Sequence, residues 1–215
     1  MQLFLQLLWL LLRLFLVIAL PFFALLRTTT WLYLDKSWFW VPAMVGGMLT
    51  ATLVVSLYAW GVKELLGVKQ RSLRWLTGFS FLLVLGYTLY TTSALSSQNL
   101  KHQNLQQEFG QLHPILRLGT GTLVLIDSDL LVTDLSRTPA DYRRMGLPPK
   151  QYSLHFVQKD GYAHALDLRT QGRFELANFL TEAYFRLAGF GTLRHVGTAD
   201  HLHVSLAPHE NPDAL

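Results

Sequence analysis

The chain has 215 residues, 51% of them hydrophobic, with a formal net charge of +4 and no cysteine. That length holds one modest globular domain plus a membrane anchor, and without thiols any bound metal must be held by His and carboxylate. The positive excess falls in the first 100 residues, while the remainder balances acid against base, so no basic patch points to nucleic acid.

The two parts differ chemically. All six tryptophans precede residue 76 and all eight histidines follow residue 100. Gln2 to Leu26, Trp38 to Gly61 and Arg74 to Leu95 are each long and apolar enough to cross a ~30 Å hydrocarbon core, which predicts three transmembrane helices. The first has no charged start or small-residue cleavage site and is expected to stay in the mature protein, kinked at Pro21. Trp31, Tyr33, Trp38 and Trp40 sit between the first two spans, and Trp60 and Trp75 flank the second loop, as interfacial rings do. Lys63, Lys69, Arg71 and Arg74 make that second loop the basic one, which puts it on the cytoplasmic side and everything after Leu95 outside. Arg13 is expected to snorkel toward headgroups. Gly46, Gly47, Ala51 and Ser56 offer a face for close helix packing.

The expected organisation is a three-span region over 1–98, a polar stalk over 99–111, a small α+β domain with an antiparallel sheet over 112–207, and a tail over 208–215. Within the domain, Pro114 can open a helix, although Gly119 and Gly121 count against one. Apolar runs lie at Leu123 to Ile126 and Leu130 to Thr133. Phe174, Ala177, Phe179, Leu180, Ala183, Tyr184 and Leu187 recur at helical spacing ahead of Gly189, a natural C-terminal cap. Thr192 to Val196 and Leu202 to Leu206 read as strands.

Asp160-Gly161 between two strand-like runs signals a hairpin. A two-residue turn would gather His155 and His164. A three-residue loop over 159–161 with Gly161 left-handed pairs Gln158 with Tyr162 and brings Asp167 to the face of His155. On the last strand, His201 and His203 share one face by the period of two.

With these residues in view, about 112–207 resembles the LAS group of zinc peptidases, which comprises D-alanyl-D-alanine carboxypeptidases and L-alanyl-D-glutamate endopeptidases and has a hedgehog-like fold. The resemblance rests on Ser153-Leu154-His155, Ala165-Leu166-Asp167 and Asp200-His201-Leu202-His203, preceded by Thr133 to Thr138 with its Arg137. The family sets its first His and its Asp closer together than the twelve positions separating His155 and Asp167, a difference the hairpin would absorb. Asp160 and His164 stand as alternative donors.

The resemblance implies Zn²⁺ held by His155, Asp167 and His203, with a fourth position open to water. It implies Asp200 as general base, His201 in support at the oxyanion, and Arg137 on a substrate carboxylate or developing charge. It further implies a membrane-anchored hydrolase of peptidoglycan stem peptides, multi-pass in a bacterial cytoplasmic membrane with its C-terminal domain outside. Its partners would be the stem peptide, the bilayer and other membrane proteins met through the helices. The alternative is a binding or scaffold protein of the same fold without turnover.

Overall fold

A computed structural model describes residues 2–66, 72–93, 95–144, 146, 148, 152–197 and 200–206. Lys69 and Arg71 of the basic loop, and the tail over 208–215, lie outside the described residues.

Three long helices come first: α1 (Gln2–Leu34), α2 (Trp40–Leu66) and α3 (Ser72–Ser93). Among the described residues, two segments are long and apolar enough to span a membrane, Phe4–Leu34 and Trp40–Val62. The third expected span is a helix but does not join them, because Thr, Ser, Tyr and Gly punctuate its apolar run. α1 continues through Pro21 as one helix. The glycine pair on α2 does what its sequence suggested: a methyl at Gly46 would overlap Leu32, and one at Gly47 would overlap Thr29 and the Leu25 carbonyl. The two helices therefore touch backbone to side chain, with Ala51 buried.

The chain expected as a polar stalk packs inward instead. Leu100, Leu105 and Phe109 are buried, the last two on a short helix α4 (Leu105–Phe109), and Asn99 Nδ2 donates to the Ser128 and Leu130 carbonyls. Apolar residues spaced among Gln and Asn set the outcome, since each finds the domain core within reach.

Helix α5 (Pro114–Val124) starts at Pro114 with His113 as its cap, whose Nδ1 accepts from the Ile115 N–H at 3.3 Å. Its glycines are there for packing. A methyl at Gly121 would overlap the Thr91 carbonyl of α3, and one at Gly119 would press on Phe190. α5 runs antiparallel to α3: Arg117 donates to the Thr92 carbonyl, while Thr122 Oγ1 bonds Tyr87 Oη at 2.6 Å.

Four antiparallel strands follow in the order β1-β2-β4-β3: β1 (Val132–Asp134), β2 (Ala165–Arg169), β3 (Gly191–His195) and β4 (His201–Ser205). A short helix α6 (Pro139–Arg144) follows β1, and α7 (Glu175–Ala188) crosses from β2 to β3, ending on Gly189 in the left-handed conformation (φ 99°). The expected strands shift by one residue: Thr192 to Val196 becomes Gly191–His195 and Leu202 to Leu206 becomes His201–Ser205. One side of the sheet buries Leu166, Leu168, Leu202 and Val204 in a core shared with Leu116, Phe109 and Phe185. The opposite side carries the polar row described next.

Candidate metal centre

Strand register builds the site. Asp134 on β1 faces Asp167 on β2, Asp167 faces His203 on β4, and His203 faces Leu193 on β3, so one cross-strand row presents two acids and an imidazole together. His201 and its partners Arg169 and His195 form the adjacent row.

His155 arrives from outside the sheet. The turn after it is the three-residue one: Gln158 N–H donates to the Tyr162 carbonyl at 2.9 Å, Gly161 has φ 87°, and Val157 bridges Ala163. The ladder ends there instead of continuing to pair His155 with Ala165. Residues 154–156 turn away as His164 N–H bonds the Leu154 carbonyl, and this turn swings His155 over β2. Ser153 Oγ accepts from the His155 N–H at 3.3 Å and meets Tyr142 Oη at 3.0 Å, which fixes the turn.

Three donor atoms converge. His155 Nε2 lies 3.2 Å from His203 Nδ1 and 3.3 Å from Asp167 Oδ1, and the latter two are 3.0 Å apart. Donors placed 2.0–2.1 Å from a tetrahedral zinc stand roughly 3.3 Å from one another, so the triangle is close to one face of such a site. His155 Nδ1 is 2.7 Å from the Leu135 carbonyl, which can only accept, so Nδ1 carries hydrogen and Nε2 is the ring nitrogen turned toward Asp167 and His203. The Leu135 carbonyl is an outer partner of the kind that sets a metal ligand's tautomer.

Asp167 is buried at the centre. Burial acts to raise its pKa. His155, hydrogen bonds from His155 and His203, and the Arg137 charge outweigh it and hold the carboxyl well below its ordinary range. Arg137 Nη2 donates to Asp167 Oδ2 at 2.8 Å and Nε donates to Asp134 Oδ2 at 2.8 Å, leaving Oδ1 to face the histidines. Its backbone N–H also donates to the His155 carbonyl, so one residue positions two members of the trio.

The other expected residues sit differently. Arg137 is enclosed by Asp134, Asp167 and the Tyr142 ring. Asp200, expected as the base, accepts from Thr170 Oγ1 at 2.6 Å and from Arg194 at 3.2 Å, and these bonds lower its pKa. His201 stacks on His195 and brings Nε2 to 3.9 Å from Asp167 Oδ1.

Asp160 and His164, the alternative donors, belong to a second group with His113. His164 Nε2 is 2.8 Å from Asp160 Oδ2, and His113 Nε2 is 3.6 Å from the same oxygen. Because His113 Nδ1 accepts from Ile115, its proton sits on Nε2, which is buried without a hydrogen-bond partner. Burial, then the neighbouring His164, push the His113 pKa down to about 3. Among residues unforeseen from sequence, Leu135 contributes only its carbonyl and leaves no side-chain signal. His113 could have been found from its place just before Pro114.

The trio is a set of the residue types that bind divalent first-row metals. Comparison with protein-family models, curated proteins and solved structures finds no match to this chain.

Proposed function

We propose that the chain is a membrane-anchored zinc peptidase of the LAS type, acting on peptidoglycan stem peptides outside the cytoplasmic membrane. The convergence of His155 Nε2, Asp167 Oδ1 and His203 Nδ1 carries this reading. Zn²⁺ bound there would polarise the scissile carbonyl and lower the pKa of an attacking water. The chain's own residues do the rest. Leu135 and Arg137 hold His155 and Asp167 in ligand geometry. His201 is the better candidate to move a proton, because Asp200 is committed to Arg194 and Thr170. Asp200 then serves to brace the start of β4.

The apolar helices α1 and α2 anchor the domain; α3, less apolar than these, would cross as a third span to deliver it to the outer face. A binding protein without turnover is the second reading. Its support is that Arg137 and Asp200, the substrate clamp and base of the resemblance, are both ion-paired within the protein.

The test uses the full chain in detergent, loaded with zinc, on purified stem peptides. Zinc-dependent cleavage that His203→Ala abolishes supports the peptidase. Stoichiometric zinc with no cleavage of any stem-peptide bond favours the binding protein.

A further inference from the structure

Helix α7 is inside out. Its buried face carries Asn178, Thr181, Phe185 and Ala188, with Asn178 Nδ2 donating to the Thr170 carbonyl. Tyr184 packs against the core, but most of the large apolar residues face outward: Leu176 is 55% exposed, Phe179 63%, Leu180 56% and Leu187 64%. Phe174 just before the helix is 76% exposed, and beyond the end of α5 so are Leu125 (50%) and Ile126 (78%). A water-facing helix does not order its residues this way.

The packing says what covers the stripe. Along α1, Tyr33 packs against His113 at the start of α5, whereas Thr122 near its end bonds Tyr87, whose ring packs 4.8 Å from Phe22. α5 therefore descends beside α1 from the level of Tyr33 to that of Phe22. Phe22 lies five residues before Arg27, roughly 7 Å deeper along the axis. Leu125 and Ile126 follow at that depth. Both ends of α7 are tied to the same zone. At its start Arg173 pairs with Asp127, next to Ile126; at its end Gly189 abuts Arg27 and Thr30, and the Ala188 carbonyl accepts from Thr30 Oγ1. A 14-residue helix about 21 Å long, whose two ends are separated by only roughly 7–12 Å along α1, runs more across that axis than along it. Glu175, Glu182 and Arg186 border the stripe with charge, as residues at headgroup level do.

We propose that α7 is an interfacial helix, with Leu176, Phe179, Leu180 and Leu187 seated in the outer leaflet beside Leu125 and Ile126. This rests on the membrane-spanning reading of α1 and α2. The domain is then sunk against the lipid surface, and its site works on peptide close to the bilayer.

The absence of cysteine allows single labels on an otherwise silent background. Environment-sensitive probes at Leu180→Cys, Ile126→Cys, Phe15→Cys within α1 and His102→Cys as an exposed control are placed in full-length chain in nanodiscs containing brominated lipid. Quenching at positions 180 and 126 should reach about half or more of that at 15, with His102 near zero. Probes at 180 and 126 that stay unquenched while 15 is quenched overturn the interfacial helix and leave the spans intact. An unquenched 15 overturns the spans themselves. Probes at 180 shielded from water yet unquenched would assign the stripe to a second copy and also refute the proposal.

Discussion

Replacing Arg137 with Lys removes the fork that joins Asp134 to Asp167 while keeping a positive charge. In the wild type the guanidinium spends Nη2 on Asp167 Oδ2 and Nε on Asp134 Oδ2, both at 2.8 Å, and Asp134 and Asp167 are direct cross-strand neighbours. An ammonium cannot span both with that geometry. Asp167 is then free to rotate, and its Oδ1 no longer meets the two histidines at a fixed distance. Outer partners of this kind are worth roughly 10- to 100-fold in metal affinity, about 1.4–2.7 kcal/mol. Arg137→Ala should cost more, because it leaves a buried carboxylate without its cation, a defect of roughly 3–5 kcal/mol in the metal-free protein. Zinc affinity is read by competition with a chromogenic chelator at fixed pH, and fold by circular dichroism and thermal unfolding in the same detergent. The expected order of affinity is wild type, then Arg137→Lys, then Arg137→Ala. A folded Arg137→Lys that binds zinc within about twofold of wild type would refute the assignment of Arg137 as a positioning residue.

Histidine 113 supplies a pH prediction. Its folded pKa, about 3, lies below the unfolded value of ~6.5, so the unfolded chain takes up a proton first. Stability should be full above about pH 6.5 and fall as the pH drops toward 3; His113→Asn, which keeps a capping side chain, should flatten that slope in denaturant titrations, and an unchanged slope would count against it. Gly121→Val should destabilise the protein by roughly 1–3 kcal/mol or more, because its side chain must displace the Thr91 carbonyl; an unfolding midpoint equal to wild type would contradict the packing of α5 on α3. His201→Ala should lower turnover roughly 100-fold or more with zinc still bound, whereas Asp200→Asn should act chiefly on stability. A larger turnover loss in Asp200→Asn than in His201→Ala would reverse these roles.

The sequence was most legible where periodicity meets a fixed register. His201 and His203 share a face because strands repeat every two residues, and Gly161 forced the three-residue loop through its left-handed backbone. Beyond Val157 the same reasoning failed, since nothing in 153–156 announces that Ser153 and Tyr142 will turn the chain out of the ladder. Gly119 and Gly121 lowered the helical propensity of α5, but the partners that require them, Phe190 for Gly119 and Thr91 of α3 for Gly121, are far away in sequence. The periodicity of α7 located the helix but not which side of it would be covered. Hydrophobic spacing shows that a stripe is apolar; whether protein or lipid covers it depends on what the neighbouring helices leave open. Arg137 and Asp134 are three residues apart, so their pairing was within reach of the sequence; that the same guanidinium also takes Asp167, and that Asp200 pairs with Arg194, follows from the strand register.

The central claim is that His155, Asp167 and His203 hold one zinc ion. Its most direct test is the metal content of full-length chain purified in detergent with zinc, beside folded His203→Ala and Asp167→Ala variants. The account predicts about one zinc per wild-type chain and little in either variant. A well-folded wild type without zinc, or variants that keep it, would contradict it.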